Sequence, residues 1–156
     1  MSIERVRAFL ATKGMAERIR EFTVSSATVE LAAAALGCEG ARIAKTLSFS
    51  LGERTLLIVA AGDAKIDNHK YKERFGGKAK MLAFEEVETR VGHAVGGVCP
   101  FAVNEGVEVY LDNSLLRFDT VFPACGSSNS AIELTIPELE VLSSSLGYID
   151  VCKLPE

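Results

Sequence analysis

Residues 42–61, RIAKTLSFSLGERTLLIVAA, hold two apolar segments separated by Gly52–Glu53. Gly-containing two-residue links between apolar runs favour a hairpin. The second segment, Thr55 to Ala61, is apolar at every position after Thr55. A strand with period two and both faces apolar has to be covered on both sides, so it is predicted to be the central strand of a sheet. Its partner, Arg42 to Leu51, alternates. Ile43, Leu47, Phe49 and Leu51 share one face, and Arg42, Ala44, Thr46, Ser48 and Ser50 share the other. Lys45 falls with the apolar set. An ammonium on such a face needs a carboxylate partner, an edge to reach water, or a polar cavity. An acid such as Asp119 would serve the first.

Other elements follow from caps and periodicity. Ser2 heads a helix carrying Ile3, Val6, Phe9 and Leu10, ended by Gly14. A short strand is predicted over Arg18–Phe22. Ser25 or Ser26 is expected to cap a helix through Ala35, with Gly37 as its stop. Asn68 is expected to cap a basic helix closing at Phe75–Gly76–Gly77. A short strand over 80–82 and a short acidic helix over 84–90 precede the loop GHAVGGVCP, residues 92–100. Strands are predicted at 107–111, 120–123, 131–135 and 148–151, a turn at 113–116, a tight loop GSSN at 126–129, and a helix started by Pro137. There is no regular βαβα rhythm. The expected fold class is α+β (mixed α/β), with a mixed, largely antiparallel curled sheet or barrel surrounded by helices, in a single domain over residues 1–156.

Bulk properties narrow the function. No apolar run reaches the roughly 20 residues of a membrane span, and the charged N-terminus MSIERVRAFLATKG lacks a secretory core. The expectation is a cytoplasmic protein without a membrane partner. Cys38, Cys99, Cys125 and Cys152 form no CxxC pair, so they are read as reduced, mostly buried thiols and not as a zinc site. Cys99 and Cys125 sit in glycine-rich loops, but neither has an evident base nearby in sequence. His69 and His93 have no metal-ligand spacing, and His93 reads as a polar loop residue. Asp63 and Asp67 could approach a cation, although helix capping suits them better. The net charge of −4 argues against general nucleic-acid binding. Lys65 to Lys80, however, holds six Lys/Arg against Asp67 and Glu73, while Asn104 to Glu156 holds two against nine acids. The basic stretch is either a solvated helix face or a phosphate-contacting patch.

GGVCP and ACGSSN both offer backbone amides unobstructed by side chains, a means of holding a carbonyl, a phosphate or an oxyanion. Neither has the spacing of a Walker or dinucleotide motif.

The strand ARIAKTLSF, the turn AAGD, the loop GHAVGGVCPF and the segment FPACGSSNSAIEL occur in that order. Together they resemble the YbaK/EbsC-type aminoacyl-tRNA deacylases, also called prolyl-tRNA synthetase-associated domains, over nearly the whole chain. The resemblance implies the YbaK/ProRS-associated domain fold, a mixed barrel wrapped by helices, with no metal and no cofactor. It implies a trans-editing hydrolase that removes a small amino acid (Cys, Ala, Ser or Thr) from a non-cognate tRNA such as tRNA-Pro. Lys45 matches the family's essential lysine. Gly96, Gly97, Val98, Cys99 and Pro100 match its GxxxP loop. Gly126 and Ser127, with Asn129 following, match its glycine-serine loop. Thr46, beside the lysine, is assigned to the substrate with these loops. Lys65, Lys70, Lys72 and Lys78 are assigned to tRNA contact. Aminoacyl-tRNA and an aminoacyl-tRNA synthetase are the expected partners. Sequence-specific DNA is not, since no helix-turn-helix with a basic recognition helix is found. The alternative is a non-catalytic pocket module that binds tRNA ends, nucleotides or amino acids.

Overall fold

The computed structural model describes residues 2–155. In chain order it contains α1 (Ser2–Ala11), β1 (Arg20–Glu21), α2 (Val29–Leu36), β2 (Ile43–Leu51), β3 (Arg54–Ala61), β4 (Lys65–Ile66), α3 (Asn68–Phe75), α4 (Phe84–Val91), β5 (Glu108–Asp112), β6 (Thr120–Pro123), β7 (Ser130–Ala131), β8 (Leu134–Thr135), α5 (Ile136–Leu142), β9 (Tyr148–Ile149) and β10 (Cys152–Lys153). Short 3-10 turns occupy Ala16–Arg18, Gly40–Arg42 and Asn113–Arg117.

The main sheet runs β8-β6-β2-β3-β5-β9. It is antiparallel at the β2–β3 hairpin and at β6–β8, and parallel at β2–β6, β3–β5 and β5–β9. Two small antiparallel sheets, β1–β7 and β10–β4, accompany it. β3 occupies the interior position its doubly apolar sequence demands, and Leu56 through Ala61 are all fully buried. Each of its leucine, isoleucine and valine side chains contributes about 1.5–3 kcal/mol, which makes β3 the axis on which the fold is organised. Phe49, Tyr71, Phe75 and Tyr110 form a chain of ring contacts at 4.9–5.4 Å that seals α3 onto the sheet.

Helix starts depart from the sequence reading for local reasons. Thr28, not Ser25 or Ser26, caps α2, accepting from Leu31 N at 3.2 Å. Both serines are instead turned to the carbonyl of Ser128, and the Ser26 amide donates to it at 2.6 Å. Asp67 caps α3 through the amides of His69 and Lys70, and Asn68 is the first helical residue. Thr135 and Glu138 form a reciprocal capping box at α5. The strand expected at 131–135 splits in two, and the one expected at 148–151 ends at Ile149 with a further strand at Cys152–Lys153, because the chain changes partner. β7 pairs with β1 and β8 with β6, while β9 pairs with β5 and β10 with β4. The segment expected as a strand at 80–82 makes one bridge, Met81 to Phe49.

That bridge and β6 share one edge of β2. β6 pairs with β2 at Ile43 and Ala44. The 80–82 segment pairs further along, through Ser50 N to Lys80 O (2.9 Å) and Leu82 N to Ser48 O (3.1 Å). Between these two contacts the edge of β2 is open at residues 45–47.

Candidate functional site

A cavity of about 520 Å³ lies over this gap. Lys45, Thr46 and Leu47 form its floor, Ser26 to Val29 one wall, and Met81, Leu82 and Phe84 with Gly96 and Val98 another. Because Ser48 and Ser50 bond away from β3, strand alternation directs the Thr46 N–H and C=O the same way, into the gap. The Thr46 hydroxyl is buried and has no partner among the described residues. Buried polar atoms are nearly always satisfied, so this unpaired hydroxyl is an exception beneath the cavity floor.

Lys45 neither snorkels to the outside nor pairs with Asp119. Its Nζ donates to the Gly62 carbonyl at 3.4 Å and to the Ala64 carbonyl. No carboxylate lies within ion-pair distance among the described residues. Asp63, in the same turn, is taken by the Arg117 guanidinium at 2.6 and 3.1 Å, which holds its carboxyl below the usual range. Burial pushes the Lys45 amine down from its ordinary value. An ammonium has three protons to donate. Two carbonyls leave one for the cavity.

The turn that receives Lys45 exists only because of a glycine. A Cβ on Gly62 would come 2.0 Å from the Gly40 carbonyl oxygen and 2.8 Å from Val29 Cγ1. The 62–64 turn is thereby pressed against the start of α2, whose Val29 lines the cavity.

The glycine loops pack on each other. A Cβ on Gly97 would meet Gly126 C at 2.8 Å, and one on Gly126 would meet Ser2 O at 2.8 Å. Gly96 and Val98 reach the cavity wall, whereas Gly97, Cys99, Pro100, Gly126, Ser127 and Asn129 do not line it. The Gly97 amide is engaged with Ala94 O at 3.0 Å, closing a turn. The amides of Gly96 and Val98 have no backbone partner among the described residues. Ser127 donates to Asn129 Oδ1 at 3.0 Å and pairs with the Ser130 hydroxyl at 2.7 Å. Asn129 Nδ2 donates to Phe22 O at 2.9 Å. These two side chains therefore brace the wall, and Ser130 is the residue of this loop that lines the cavity.

His93 is a loop residue, as expected, but not a solvated one. It is fully buried, with Nε2 2.7 Å from Phe101 O and 3.5 Å from Cys99 Sγ. This is a cysteine–histidine contact, but the thiol has no exposure and is pushed up to about 12 by burial. Thiolate character is what makes cysteine nucleophilic, so Cys99 acts as packing, as does Cys125, which burial also raises. Asp63 is held by Arg117 and Asp67 caps α3, and no cluster of three metal-binding side chains occurs among the described residues.

Of the basic residues, Lys70 is spent on Asp150 Oδ1 and Cys152 O, both at 3.0 Å, tying α3 to the chain around β10. Lys65, Lys72 and Lys78 remain exposed without ion-pair partners among the described residues. No helix is long and apolar enough to cross a membrane.

Comparisons with known proteins converge on one family. The model of the aminoacyl-tRNA editing domain matches residues 23–142. An uncharacterised Bacillus subtilis protein, YwhH, is 55% identical over 98% of both chains. A proline–tRNA ligase of Bacillus cytotoxicus is 28% identical over 68% of this chain, a match spanning 19% of the ligase. A crystal structure of a candidate trans-editing enzyme for prolyl tRNA synthetase superposes with a TM-score of 0.87 at 31% identity, covering 97% of each chain. With the fold, the lysine-floored cavity and the glycine loops in place, the chain belongs to the aminoacyl-tRNA editing domain family.

Proposed function

We propose that the protein is an aminoacyl-tRNA deacylase that hydrolyses esters of small amino acids on a non-cognate tRNA, tRNA-Pro being the favoured carrier. The observation that carries this reading is the Lys45 amine on the floor of a cavity whose wall includes Gly96 and Val98, residues whose amides have no backbone partner among the described residues. An aminoacyl ester is already activated, so positioning and stabilisation of the developing oxyanion suffice. Lys45 directs its third N–H to the ester end of the substrate. The Gly96 and Val98 amides donate to the carbonyl oxygen as it gains charge on becoming tetrahedral. The Thr46 carbonyl receives the α-amino group. Water, or a group on the substrate itself, attacks the carbonyl carbon. The bond to the ribose oxygen breaks, and that oxygen leaves as the 3′-terminal hydroxyl with the proton that the attacking water or substrate group gives up. Selectivity for short side chains is assigned to the double-sieve logic of editing, with Ala27, Ala44 and Ala131 among the residues that line the space around the aminoacyl group. The likeness to proline–tRNA ligases and to a candidate trans-editing enzyme supports tRNA-Pro, with a synthetase as the partner that delivers it.

The test is a panel of tRNA-Pro charged with Cys, Ala, Ser or Thr. At least one ester should be hydrolysed about a hundredfold faster than without protein. Four esters surviving at the uncatalysed rate would remove the reading and leave a binding module.

A further inference from the structure

The mouth of the cavity carries apolar side chains that packing does not use. Phe84 is 72% exposed, Met81 58% and Val95 49%, and all three line the cavity. Phe84 lies on the same helical stripe as the buried Val87 and Val91, so it leans toward the cavity while overhanging its open end. The residues before it are Lys78 and Lys80, both exposed and without an ion-pair partner among the described residues. The backbone between is pinned to β2 by the Lys80 and Leu82 hydrogen bonds. Residues 78–84 therefore form a lip pinned at 80–82, with Met81 and Phe84 on the cavity at one end and the two lysines ahead of them, outside the cavity lining, at the other. On the far side of Phe84, Glu86 is paired with Arg90 at 3.1 Å and Glu85 is exposed, which confines an anion to the lysine side.

We propose that this lip holds the single-stranded 3′ end of the tRNA. One base stacks on Phe84 beside Met81, and the phosphates preceding it meet Lys78 and Lys80. The proposal rests on the deacylase reading. An ester delivered to Lys45 leaves its nucleoside at the mouth, and the chain behind it must cross this edge. An exposed ring with unpaired cations four and six residues before it on the same short segment suits an unpaired strand, since any base can stack and phosphates supply the attraction. Overall charge gives no such attraction in a chain of net charge −4. The assignment also moves the nucleic-acid contact away from Lys70, whose amine is occupied.

Fluorescence anisotropy with labelled 5′-ACCA-3′ RNA tests this, using wild type, Phe84→Ala, Phe84→Tyr and the double variant Lys78→Ala/Lys80→Ala, with thermal melts as a folding control. Phe84→Ala should weaken binding and raise KM for charged tRNA by about tenfold, with kcat near wild type. Phe84→Tyr should restore both. The lysine pair should weaken binding and flatten its salt dependence. Equal RNA affinity and equal KM for wild type and Phe84→Ala, including the case in which neither binds the tetranucleotide, would overturn the proposal even if the deacylase activity stands. Phe84-dependent RNA binding without hydrolysis of any ester would support the lip and sink the deacylase reading instead.

Discussion

Lys45→Ala is expected to lower the deacylation rate constant by about a hundred- to a thousandfold, since it removes the charged group that positions the ester end between the oxyanion donors. The fold should survive. The carbonyls of Gly62 and Ala64 lose their ammonium donor, and Ala64 is fully buried, so a stability cost of about 1–3 kcal/mol is expected, partly offset because the desolvated charge is removed too. Lys45→Arg should not rescue activity, because a planar guanidinium does not reproduce a compact ammonium seated on two carbonyls. The role assigned to Lys45 needs its charged form. Burial lowers its pKa from 10.5, so kcat should fall as pH rises through that lowered value, earlier than for an exposed lysine. Stability moves in the opposite sense. Between the lowered folded value and 10.5 the unfolded chain binds more protons, so folding becomes more favourable as pH rises across that window. Lys45→Ala should lose this slope along with the activity. Rate constants from single-turnover assays and denaturant melts across alkaline pH check both.

Gly62→Ala should damage stability and activity together. Its Cβ would fall 2.0 Å from the Gly40 carbonyl oxygen, and backbone cannot yield as a side chain can. Relief requires the Gly40–Arg42 turn or the 62–64 turn to move, a cost of about 3 kcal/mol in the overpacking range. The moving turn carries a Lys45 acceptor, and the surface it presses on carries Val29 of the cavity wall. Activity measured well below the melting temperature should therefore also drop. Gly52→Ala is the informative contrast. Gly52 has φ +61 but nothing within 4 Å of its would-be Cβ. It should cost only about 1 kcal/mol of backbone strain and leave the rate unchanged. Urea midpoints for the two variants, read beside their rates, separate a displaced site from a weakened fold.

What the sequence made legible was local. The β2–β3 hairpin, the central place of β3 and the inward turn of Lys45 all follow from period-two patterning within twenty residues. The terminating Gly37 and Gly76 follow from backbone chemistry, at φ +69 and +79. The cavity was not legible in the same way. It exists because β6 stops at Ala44 and the 80–82 segment begins at Ser48, and no residue near Thr46 signals where distant segments will pair. Phe84 read as the first residue of an acidic helix, and only the tertiary fold shows that it overhangs the mouth. The two serines expected to cap α2 were claimed by the Ser128 carbonyl, more than a hundred residues away. His93 read as a polar loop residue because it stands beside the glycine-rich loop, yet burial against Phe101 and Cys99 turns it into a brace for that loop. Lys70 looked available for phosphate until α3 docked beside Asp150.

The central claim is that the Lys45 amine faces the substrate's ester end. NMR of lysine side chains labelled with 15N, assigned with Lys45→Ala, tests it directly when titrated with and without 3′-alanylamino-3′-deoxyadenosine, an amide that cannot be hydrolysed as the ester is. The Lys45 Nζ is expected to titrate below 10.5 in the free protein, and its resonance to move when the analogue binds. A Lys45 signal that titrates at the ordinary value and stays in place while other resonances report binding would contradict it.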